Sequence, residues 1–452
     1  MYAIGIDIGT TTICAIVLDC DNAVAVKSLT VPNGTYIKGK EFESIQNPQA
    51  ILDKILILVD DLCQAYAPVK VIGLSCQMHG IVYVDRSGNA AGPLYTWQDG
   101  RGDLKAPSSM SYVEELKNRT GSDSLATGFG AVTHYYNTLN RLVPKGAVGF
   151  CTIGDFIGMR LTGMCECKTH ASNAAGIALY DLGAGRFDSE MIKKADMDPE
   201  FFPKVETGCA LLGETATGTP VSYCIGDNQA SYLGAVSEPE KMILINVGTG
   251  GQISVLSADK SAHPQIEPRP LENGVYLRVG SILCGGRAFA ALESFFSDVL
   301  KMAGVSKPDS LYCAIDNMLE NGEIQPGDSL SVSTQFCGTR QNPDLRGRIS
   351  NLGLNNFTPL HLASGIAEGI AGEYMELYKL MGSDTRHSLL VGSGNGLRKN
   401  IYLQKTLSKR FNMPLLIPAH EEEAAFGSAL YALTACGYYK KLTEAQKIIK
   451  YN

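Results

Sequence analysis

Two short turns rich in glycine and threonine are the part of this chain best suited to chemistry on a phosphate chain. The first is Asp7-Ile8-Gly9-Thr10-Thr11-Thr12, and the second is Asn246-Val247-Gly248-Thr249-Gly250-Gly251; each lies between two apolar runs. Glycine lets the backbone approach a ligand closely, and threonine amides and hydroxyls can bind anionic oxygens. A single hairpin of this kind is better interpreted as a plain turn. Two of them, in opposite halves of the chain, predict a phosphate chain held by both.

Two aspartates are placed to hold a metal ion or to move a proton. Asp7 stands where a carboxylate can support a Mg²⁺ shell, usually through water. Asp227 precedes a helix-like run, where Asp is most often an N-cap. Its competing role is that of a general base for a substrate hydroxyl, since phosphoryl transfer needs little beyond a base, a metal and positioning. The two roles are compatible, and both stay open.

Two segments of the first half combine the side chains that grip a polyol. They are Gln77-Met78-His79-Gly80 and Thr96-Trp97-Gln98-Asp99-Gly100-Arg101, and Trp97 is the only tryptophan. Together they offer an aromatic face, a carboxylate, an amide, an imidazole and a guanidinium. Taken singly, His79 and Arg101 are more often structural residues. Their occurrence together predicts a polyol-binding wall.

Two weaker signals each have a structural alternative. Gly392-Ser393-Gly394-Asn395-Gly396 lies between a strand and a helix, where glycines admit a flat ring or a phosphate. It lacks the spacing of a dinucleotide-binding fingerprint or of a Walker A loop. Cys165 and Cys167 with His170 resemble part of a metal site, but without a second cysteine pair a structural role is favoured.

Alternating strand and helix patterns must position these residues. The repeated hairpin predicts a duplicated α/β fold, with lobes at 1–232 and 233–452 and a cleft between them. A return of the last helix to the first lobe is left open. Asn47 is predicted to cap a helix that begins at Pro48 and contains 51–66. Further helices are predicted at 288–302, 359–381 and 421–435, and further strands at 71–74, 389–391 and 415–417.

Length and composition limit the class of protein. At ~150 residues per domain, the 452 residues predict two or three domains. The 45% apolar and 19% charged content is typical of a globular chain and excludes a disordered or collagen-like one. A net charge of −7 without a basic block argues against nucleic acid or membrane partners. Thirteen cysteines, an odd number, with no secretory leader or bilayer-length apolar run, predict a reduced cytoplasmic protein.

Together these residues resemble the FGGY carbohydrate kinases, over essentially the whole chain. The resemblance implies the duplicated actin/Hsp70/sugar-kinase fold, which is ribonuclease H-like, with ATP and Mg²⁺ as cofactors. It implies that Asp227 is the catalytic base and that Asp7 and Asp227 hold the metal. The helix around 423–429 resembles the alanine-rich closing helix of the family. The implied nucleotide-binding residues are Gly9, Thr10, Thr11, Thr12, Gly248, Thr249, Gly250, Gly285, Gly286, Gly392, Gly394, Gly396 and Asn400.

Five segments resemble the sedoheptulose kinases of this family most. They are 77–80, 96–101, 126–130, 172–176 and, more loosely, 338–341. The expected reaction is phosphorylation of the terminal hydroxyl of a ketose, giving sedoheptulose 7-phosphate. The implied sugar contacts are Gln77, His79, Gly80, Trp97, Asp99, Arg101, Asp227 and Asn228.

Alternatives to sedoheptulose phosphorylation stay open. A D-xylulose or D-ribulose kinase of the same family is the first, because xylulose kinases share an Asp-Asn pair like Asp227-Asn228. A non-enzymatic nucleotide switch of the actin or Hsp70 type is a remote alternative, as is a sugar-responsive regulator. A homodimer is left open.

Overall fold

Strands and helices alternate along the chain, as the apolar pattern predicts. The computed structural model describes residues 1–306, 309–340, 342–382 and 386–452, so Gln341 lies outside the described residues. The strands are β1 (Tyr2–Ile8), β2 (Thr12–Asp19), β3 (Val24–Pro32), β4 (Tyr36–Ile37), β5 (Ile45–Gln46), β6 (Val69–Cys76), β7 (Ile81–Asp85), β8 (Ala90–Tyr95), β9 (Ala147–Cys151), β10 (Lys168–His170), β11 (Tyr180–Asp181), β12 (Arg186–Phe187), β13 (Lys204–Glu206), β14 (Leu211–Glu214), β15 (Pro220–Gly226), β16 (Met242–Val247), β17 (Gly251–Ser257), β18 (Ile266–Glu272), β19 (Val275–Ile282), β20 (Ser331–Ser333), β21 (Arg348–Ser350), β22 (Leu389–Ser393) and β23 (Leu415–Leu416).

The helices agree with the predicted ones at nearly every place where one was expected. They are α1 (Pro48–Ala65), α2 (Tyr112–Thr120), α3 (Gly130–Leu139), α4 (Ile153–Thr162), α5 (Ala171–Ile177), α6 (Ser189–Lys194), α7 (Asp227–Ala235), α8 (Gly286–Met302), α9 (Tyr312–Asn321), α10 (Pro359–Leu380), α11 (Asn395–Arg398), α12 (Ile401–Phe411), α13 (Glu423–Ala435) and α14 (Leu442–Ala445). The predicted cap of α1 is confirmed, since the Asn47 side chain accepts hydrogen bonds from the backbone of Gln49 and Ala50. No helix among the described residues is both long and apolar enough to span a bilayer.

The described residues form two structural units. The first comprises 1–234, 269–276 and 420–448, and the second comprises 235–268, 277–419 and 449–452.

The main sheet of the first unit brings three strand ends together. Its order is β14-β15-β6-β1-β2-β3. The strands β1, β6 and β15 are parallel, and Ile8 and Gly226 both pair with Cys76. Because the carboxyl ends of parallel strands lie at one edge of a sheet, the residues that follow these three strands become neighbours.

Burial of β1 on both faces explains the run without polar side chains from Ala3 to Ile6. Ile4, Ile6 and Ile8 are fully buried in a core shared with helices α1 and α4. On β1 and β6, two glycines let α13 pack directly on the sheet. A Cβ at Gly5 would stand 1.9 Å from the Ala425 carbonyl oxygen, in α13.

A second sheet of the first unit joins the two predicted sugar-binding segments. Its order is β4-β5-β8-β7-β9, and Ile81 at the start of β7 pairs with Tyr95 at the end of β8. The segment before β7 and the segment after β8 therefore lie side by side.

The second unit is built on a sheet of order β18-β19-β17-β16-β22-β23. The hairpin β16–β17 is antiparallel, and β22 pairs in parallel with β16. The buried Tyr374 of α10, Leu292 of α8 and Leu403 of α12 belong to its apolar core. Because Asn246 pairs with Ser393, the second glycine turn and the loop after β22 begin at the same edge of the sheet.

Candidate active site

In the turn between β1 and β2, the backbone carbonyls accept hydrogen bonds, whereas the backbone N–H groups are open, that is, without an acceptor among the described residues. Asn33 Nδ2 donates to the Gly9 carbonyl and Gln46 Nε2 donates to the Thr10 carbonyl, each at 2.8 Å. The Asn33 backbone N–H donates to the Thr11 carbonyl at 2.8 Å. Among the described residues, none accepts a hydrogen bond from the N–H of Gly9, Thr10 or Thr11. Adjacent open amides of this kind form an anion-binding concavity.

The threonine hydroxyls of this turn have different surroundings. Thr10 Oγ1 donates to Gln77 Oε1 at 2.9 Å and accepts from Trp97 Nε1 at 3.0 Å. Thr11 is exposed, and Thr12 is partly buried at the start of β2. Thr10 therefore offers a phosphate its backbone amide, whereas its hydroxyl is bonded to the predicted sugar-binding segments.

Asp7 lies next to the end of β1, with its carboxylate in a buried setting. Its Oδ1 accepts a hydrogen bond of 2.6 Å from Ser75 Oγ. Burial, together with the negative charges of Asp227 and Glu422, raises the pKa of Asp7 to about 7, although the Ser75 hydrogen bond opposes the rise. A bound cation would favour the ionised form of Asp7 and offset the unfavourable effect of the Asp227 charge on it.

Asp227 is the first residue of α7, directly after β15. The helix begins there, three residues before the predicted helical run. Burial raises the pKa of Asp227, while the Arg269 guanidinium and the Asn228 backbone N–H favour its ionised form. Asn228 itself is 9% exposed.

Asp7 and Asp227 provide the type of ligand that Mg²⁺ prefers. Mg²⁺ prefers oxygen ligands and is commonly held by one or two carboxylates, with water and substrate phosphates completing the shell. Within the part of the chain that the structure describes, no group of three or more His, Cys, Asp or Glu is arranged to hold a metal by itself. The two carboxylates therefore suit a metal ion whose other ligands are water and substrate phosphates, and not one coordinated by the protein alone.

His79 is fixed in an unusual backbone conformation beside an aromatic ring. Its φ is +75°, and its ring stacks on Phe129 with 4.3 Å between centroids. His79 Nδ1 lies 2.8 Å from the Gly176 carbonyl oxygen, which only accepts, so Nδ1 carries the proton. Gly80 lies against the other segment, since a Cβ there would stand 2.5 Å from the Tyr95 carbonyl oxygen.

Trp97 is the most exposed aromatic group of the predicted wall. Its side chain is 46% exposed, although its indole N–H is bonded to Thr10. A Cβ at Gly128 would stand 1.9 Å from the Trp97 carbonyl oxygen, so the segment 126–130 packs on the tryptophan backbone. An exposed indole face, fixed by its hydrogen bond to Thr10 and by packing on its backbone, is suited to stacking on a sugar.

Asp99 and Arg101 are bonded to each other instead of facing outward. Arg101 Nε donates to Asp99 Oδ1 at 2.6 Å, and Nη2 donates to Oδ2 at 3.1 Å. Arg101 Nη1 donates to Asn137 Oδ1 at 2.6 Å, and the guanidinium lies over the Tyr95 ring. Asp99 is fully buried and Arg101 is 2% exposed. This pair holds the turn that carries Trp97, and direct sugar contact by either residue stays a prediction.

In the second unit, a glycine pair packs on the turn between β16 and β17. The Gly286 N–H donates to the Gly248 carbonyl at 2.9 Å, and the Arg287 N–H donates to the Thr249 carbonyl at 3.1 Å. A Cβ at Gly285 would stand 2.5 Å from the Gly250 carbonyl oxygen. No described residue accepts a hydrogen bond from the N–H of Thr249 or Gly250. This turn therefore repeats the pattern of the first one.

The loop after β22 packs on the same turn. Gly394 has a φ of +80°, and a Cβ there would stand 2.6 Å from the Val247 carbonyl oxygen; the corresponding distance for Gly396 is 2.8 Å. Gly392 lies in β22 among apolar side chains. Asn400 caps α12, with its Oδ1 accepting from the Leu403 N–H at 2.8 Å. The predicted nucleotide residues of the second unit are thus gathered around one turn, with Asn400 at the start of the next helix.

Four residues of the first unit's site were missed in the sequence. Asn33 and Gln46 hold the turn carbonyls, Arg269 lies beside Asp227, and Glu422 lies near Asp7. They come from separate elements and carry no local motif, so only the folded chain shows their roles.

Cys165 and His170, which resemble part of a metal site in the sequence, bond to different partners. The Cys165 thiol donates to the Ser87 carbonyl at 3.4 Å, and His170 Nδ1 bonds to Ser172 Oγ at 2.8 Å.

Comparisons with known proteins identify the class of the chain. The family model described as FGGY family of carbohydrate kinases, N-terminal domain, matches residues 2–234, and the C-terminal domain of that family matches 244–436. The fold and this match define a kinase that acts on carbohydrates. The chain belongs to the FGGY family, as the sequence predicted.

Individual relatives differ in the substrates that their names give. Sedoheptulokinase of Mus musculus is 24% identical over 474 residues, which cover 95% of this chain and 97% of that protein. The crystal structure of xylulose kinase from Rhodospirillum rubrum matches with a TM-score of 0.86 and 20% identity, over 100% of this chain and 93% of that one. Plasmodium falciparum glycerol kinase with ADP matches with a TM-score of 0.79 and 19% identity, over 98% and 91% of the two chains. These structures confirm the predicted sugar-kinase fold.

Proposed function

We propose that this protein transfers the γ-phosphoryl group of ATP to the terminal hydroxyl of a ketose, with sedoheptulose as the first choice of substrate. One observation carries the proposal. The ends of β1, β6 and β15 bring Asp7, Gln77 and Asp227 to one edge of a sheet, next to a turn whose amides are open. A base, a second carboxylate and a phosphate-binding turn are what phosphoryl transfer requires.

The sugar lies on the wall formed by Trp97 and His79. Stacking on the half-exposed indole orients the chain of hydroxyls, and the protonated His79 Nδ1 is fixed by Gly176, which sets the direction of the ring. Asn228 lies one residue from the base, where its amide can bind a hydroxyl near the reacting end. This arrangement selects a substrate with several hydroxyls and one free end.

Asp227 accepts the proton of the terminal hydroxyl. As that proton moves to the carboxylate, the hydroxyl oxygen bonds to the γ-phosphorus and the bond from the γ-phosphorus to the β,γ-bridging oxygen breaks, so that ADP leaves. The base must be ionised before the reaction. Arg269 and the Asn228 N–H favour that form against the effect of burial.

Each unit offers backbone amides to phosphate oxygens. In the first unit these are the open N–H groups of Gly9, Thr10 and Thr11. The second unit, taken by itself, offers those of Thr249 and Gly250. The glycines at 285, 286, 394 and 396 let the neighbouring segments pack directly on the second turn. When Mg²⁺ is bound, Asp7 and Asp227 would hold it, and it would neutralise charge on the phosphate oxygens.

The experiment that tests the function is ADP release from Mg·ATP with a panel of acceptors. The panel is sedoheptulose, D-xylulose, D-ribulose, D-fructose and glycerol. Turnover that is strongest with sedoheptulose supports the full proposal. A pentulose preference keeps the kinase and replaces the substrate, an outcome that the likeness to xylulose kinase makes the second candidate. ATP binding without acceptor-dependent turnover contradicts the proposed reaction.

A further inference from the structure

Three residues of the first unit close a ring of hydrogen bonds, and a fourth residue is bonded to it. Gln46 Nε2 donates to the Thr10 carbonyl at 2.8 Å, and Gln46 Oε1 accepts from Gln77 Nε2 at 3.1 Å. Thr10 Oγ1 donates to Gln77 Oε1 at 2.9 Å, which closes the ring. Trp97 Nε1 donates to Thr10 Oγ1 at 3.0 Å. We call these four residues the glutamine circuit.

We propose that the glutamine circuit couples the binding of sugar at the polyol-binding wall to the conformation of the turn between β1 and β2. Gln46 is the positioning residue of this circuit. The proposal rests on the proposed function, because it assigns sugar to Trp97 and phosphate to the turn at Thr10. It adds a connection between them that neither assignment requires.

The directions of the hydrogen bonds explain why the circuit transmits a change. The Thr10 hydroxyl has one proton, and it is donated to Gln77. The indole has one N–H, and it is donated to Thr10. A shift of the indole therefore removes a donor from Thr10 Oγ1, and a shift of the Thr10 turn leaves the indole N–H without its acceptor.

Burial makes a partial break of the circuit unfavourable. Gln46 is fully buried and Gln77 is 3% exposed, so water does not replace a lost partner at either amide. Trp97, by contrast, is 46% exposed. Ligands contact the circuit at the Trp97 indole and at the open amides of the turn. The buried glutamines, which bond to the turn at Thr10, fix the position of the turn relative to the indole.

The single tryptophan gives a direct readout of the circuit. Since Trp97 is the only tryptophan, emission excited at the indole band reports on this side chain alone. Titration of the wild-type protein with Mg·AMP-PNP, without sugar, is expected to change that emission in proportion to the binding measured by calorimetry. Gln46→Met removes both hydrogen bonds of Gln46 at similar volume. This variant is expected to bind Mg·AMP-PNP while losing at least half of the emission change.

A matched control is available three residues later. Gln49 is a glutamine of α1 whose Nε2 donates to Asp53 within the same helix. Gln49→Met is expected to keep the full emission change. If Gln46→Met does not fold, as judged by circular dichroism, Gln46→Glu keeps the size of the side chain and the acceptor for Gln77 Nε2, and it replaces the donor to the Thr10 carbonyl by a carboxylate oxygen.

A second measurement tests the coupling in turnover. The ratio of ketose-dependent ADP release to ADP release without ketose is expected to fall ~5–20-fold in Gln46→Met, in line with a usual coupling between two sites, and to stay unchanged in Gln49→Met. A loss of fold alone lowers both rates together and leaves the ratio unchanged.

The outcomes separate this proposal from the proposed function. Nucleotide binding without any change in Trp97 emission overturns the coupling and leaves the kinase proposal intact. An equal emission change in wild type and Gln46→Met also overturns it. Absence of Mg·AMP-PNP binding by the wild-type protein overturns the proposed function, and the coupling with it.

Discussion

Asp7 lies near the end of strand β1 and Asp227 directly after β15, at the same edge of one sheet in which β6 lies between these two strands, and the charge of Asp227 raises the pKa of Asp7. The two carboxylates differ in their partners. Asp7 accepts a hydrogen bond from Ser75, whereas Asp227 lies beside the Arg269 guanidinium. Of the two, only Asp227 begins a helix, with its charge at the positive end of the α7 dipole. The ionised form needed for a base is therefore better supported at Asp227.

Replacement of this base gives the first prediction. Asp227→Asn is expected to lower ketose-dependent turnover ~10²–10⁴-fold, the usual contribution of a positioned base. Binding of Mg·AMP-PNP, measured by calorimetry, is expected to change much less, because the phosphate-binding amides are untouched.

A matched aspartate at another helix start provides the control. Asp188 caps α6, with its side chain accepting from the backbone of Glu190 and Met191. Asp188→Asn keeps a good cap and is expected to leave turnover unchanged. Turnover of Asp227→Asn close to that of the Asp188 variant would rule out the base.

Crowding of the nucleotide loop gives the second prediction. At Gly394 a Cβ would stand 2.6 Å from the Val247 carbonyl oxygen, and the φ is +80°. Gly394→Ala must therefore displace the turn after Val247, and we expect nucleotide affinity to fall at least ~10-fold, about 1.4 kcal/mol. Calorimetry with Mg·AMP-PNP measures the change.

Gly304 separates crowding from backbone strain in that experiment. It has a φ of +71°, and a Cβ there would meet nothing within 4 Å. Gly304→Ala carries the same kind of strain without the clash, so its nucleotide affinity should match that of the wild type. Equal losses in both variants would show that the loop does not crowd the turn.

The elements of the fold could be predicted where apolar periodicity and caps are strong. Asn47 and Pro48 mark the start of α1, and the two glycine-threonine hairpins were found as β1–β2 and β16–β17. The start of α7 was placed too late, because a helix that begins directly at the end of β15 has no separate cap to mark it.

Site residues could be predicted where a motif is local, and were missed where it is not. Trp97 and Thr10 each belong to a short recognisable segment, but the bond between them joins positions 87 residues apart. Gln46 lies in a two-residue strand and resembles any polar residue of the surface, although it is fully buried. Its role depends on which carbonyl it reaches, and that is a property of the fold.

The buried pair beneath Trp97 gives the third prediction. Asp99→Asn leaves the buried Arg101 guanidinium with only the longer ion pair to Glu43, at 3.9 Å, and we expect a loss of about 3–5 kcal/mol in the free energy of unfolding. Denaturant unfolding measures this. Unchanged stability together with a raised KM for the sugar would instead assign Asp99 to direct sugar contact.

The last prediction concerns how the free energy of unfolding changes at acid pH. Burial lowers the pKa of His134 to about 4, from an ordinary value of 6.5, and its Nδ1 shares a hydrogen bond of 2.9 Å with the Tyr83 hydroxyl. The unfolded chain therefore binds a proton on His134 at a higher pH than the folded chain does. The resulting stability is fully present above pH 6.5 and is lost as the pH falls towards 4.

His134→Asn removes this titration. Between pH 7 and pH 4.5 the free energy of unfolding of the variant should decline less than that of the wild type, by about 2–3 kcal/mol. The comparison uses the change with pH within each protein, so a constant loss from the substitution itself cancels. Parallel pH curves for the two proteins would mean that His134 is not kept neutral by the fold.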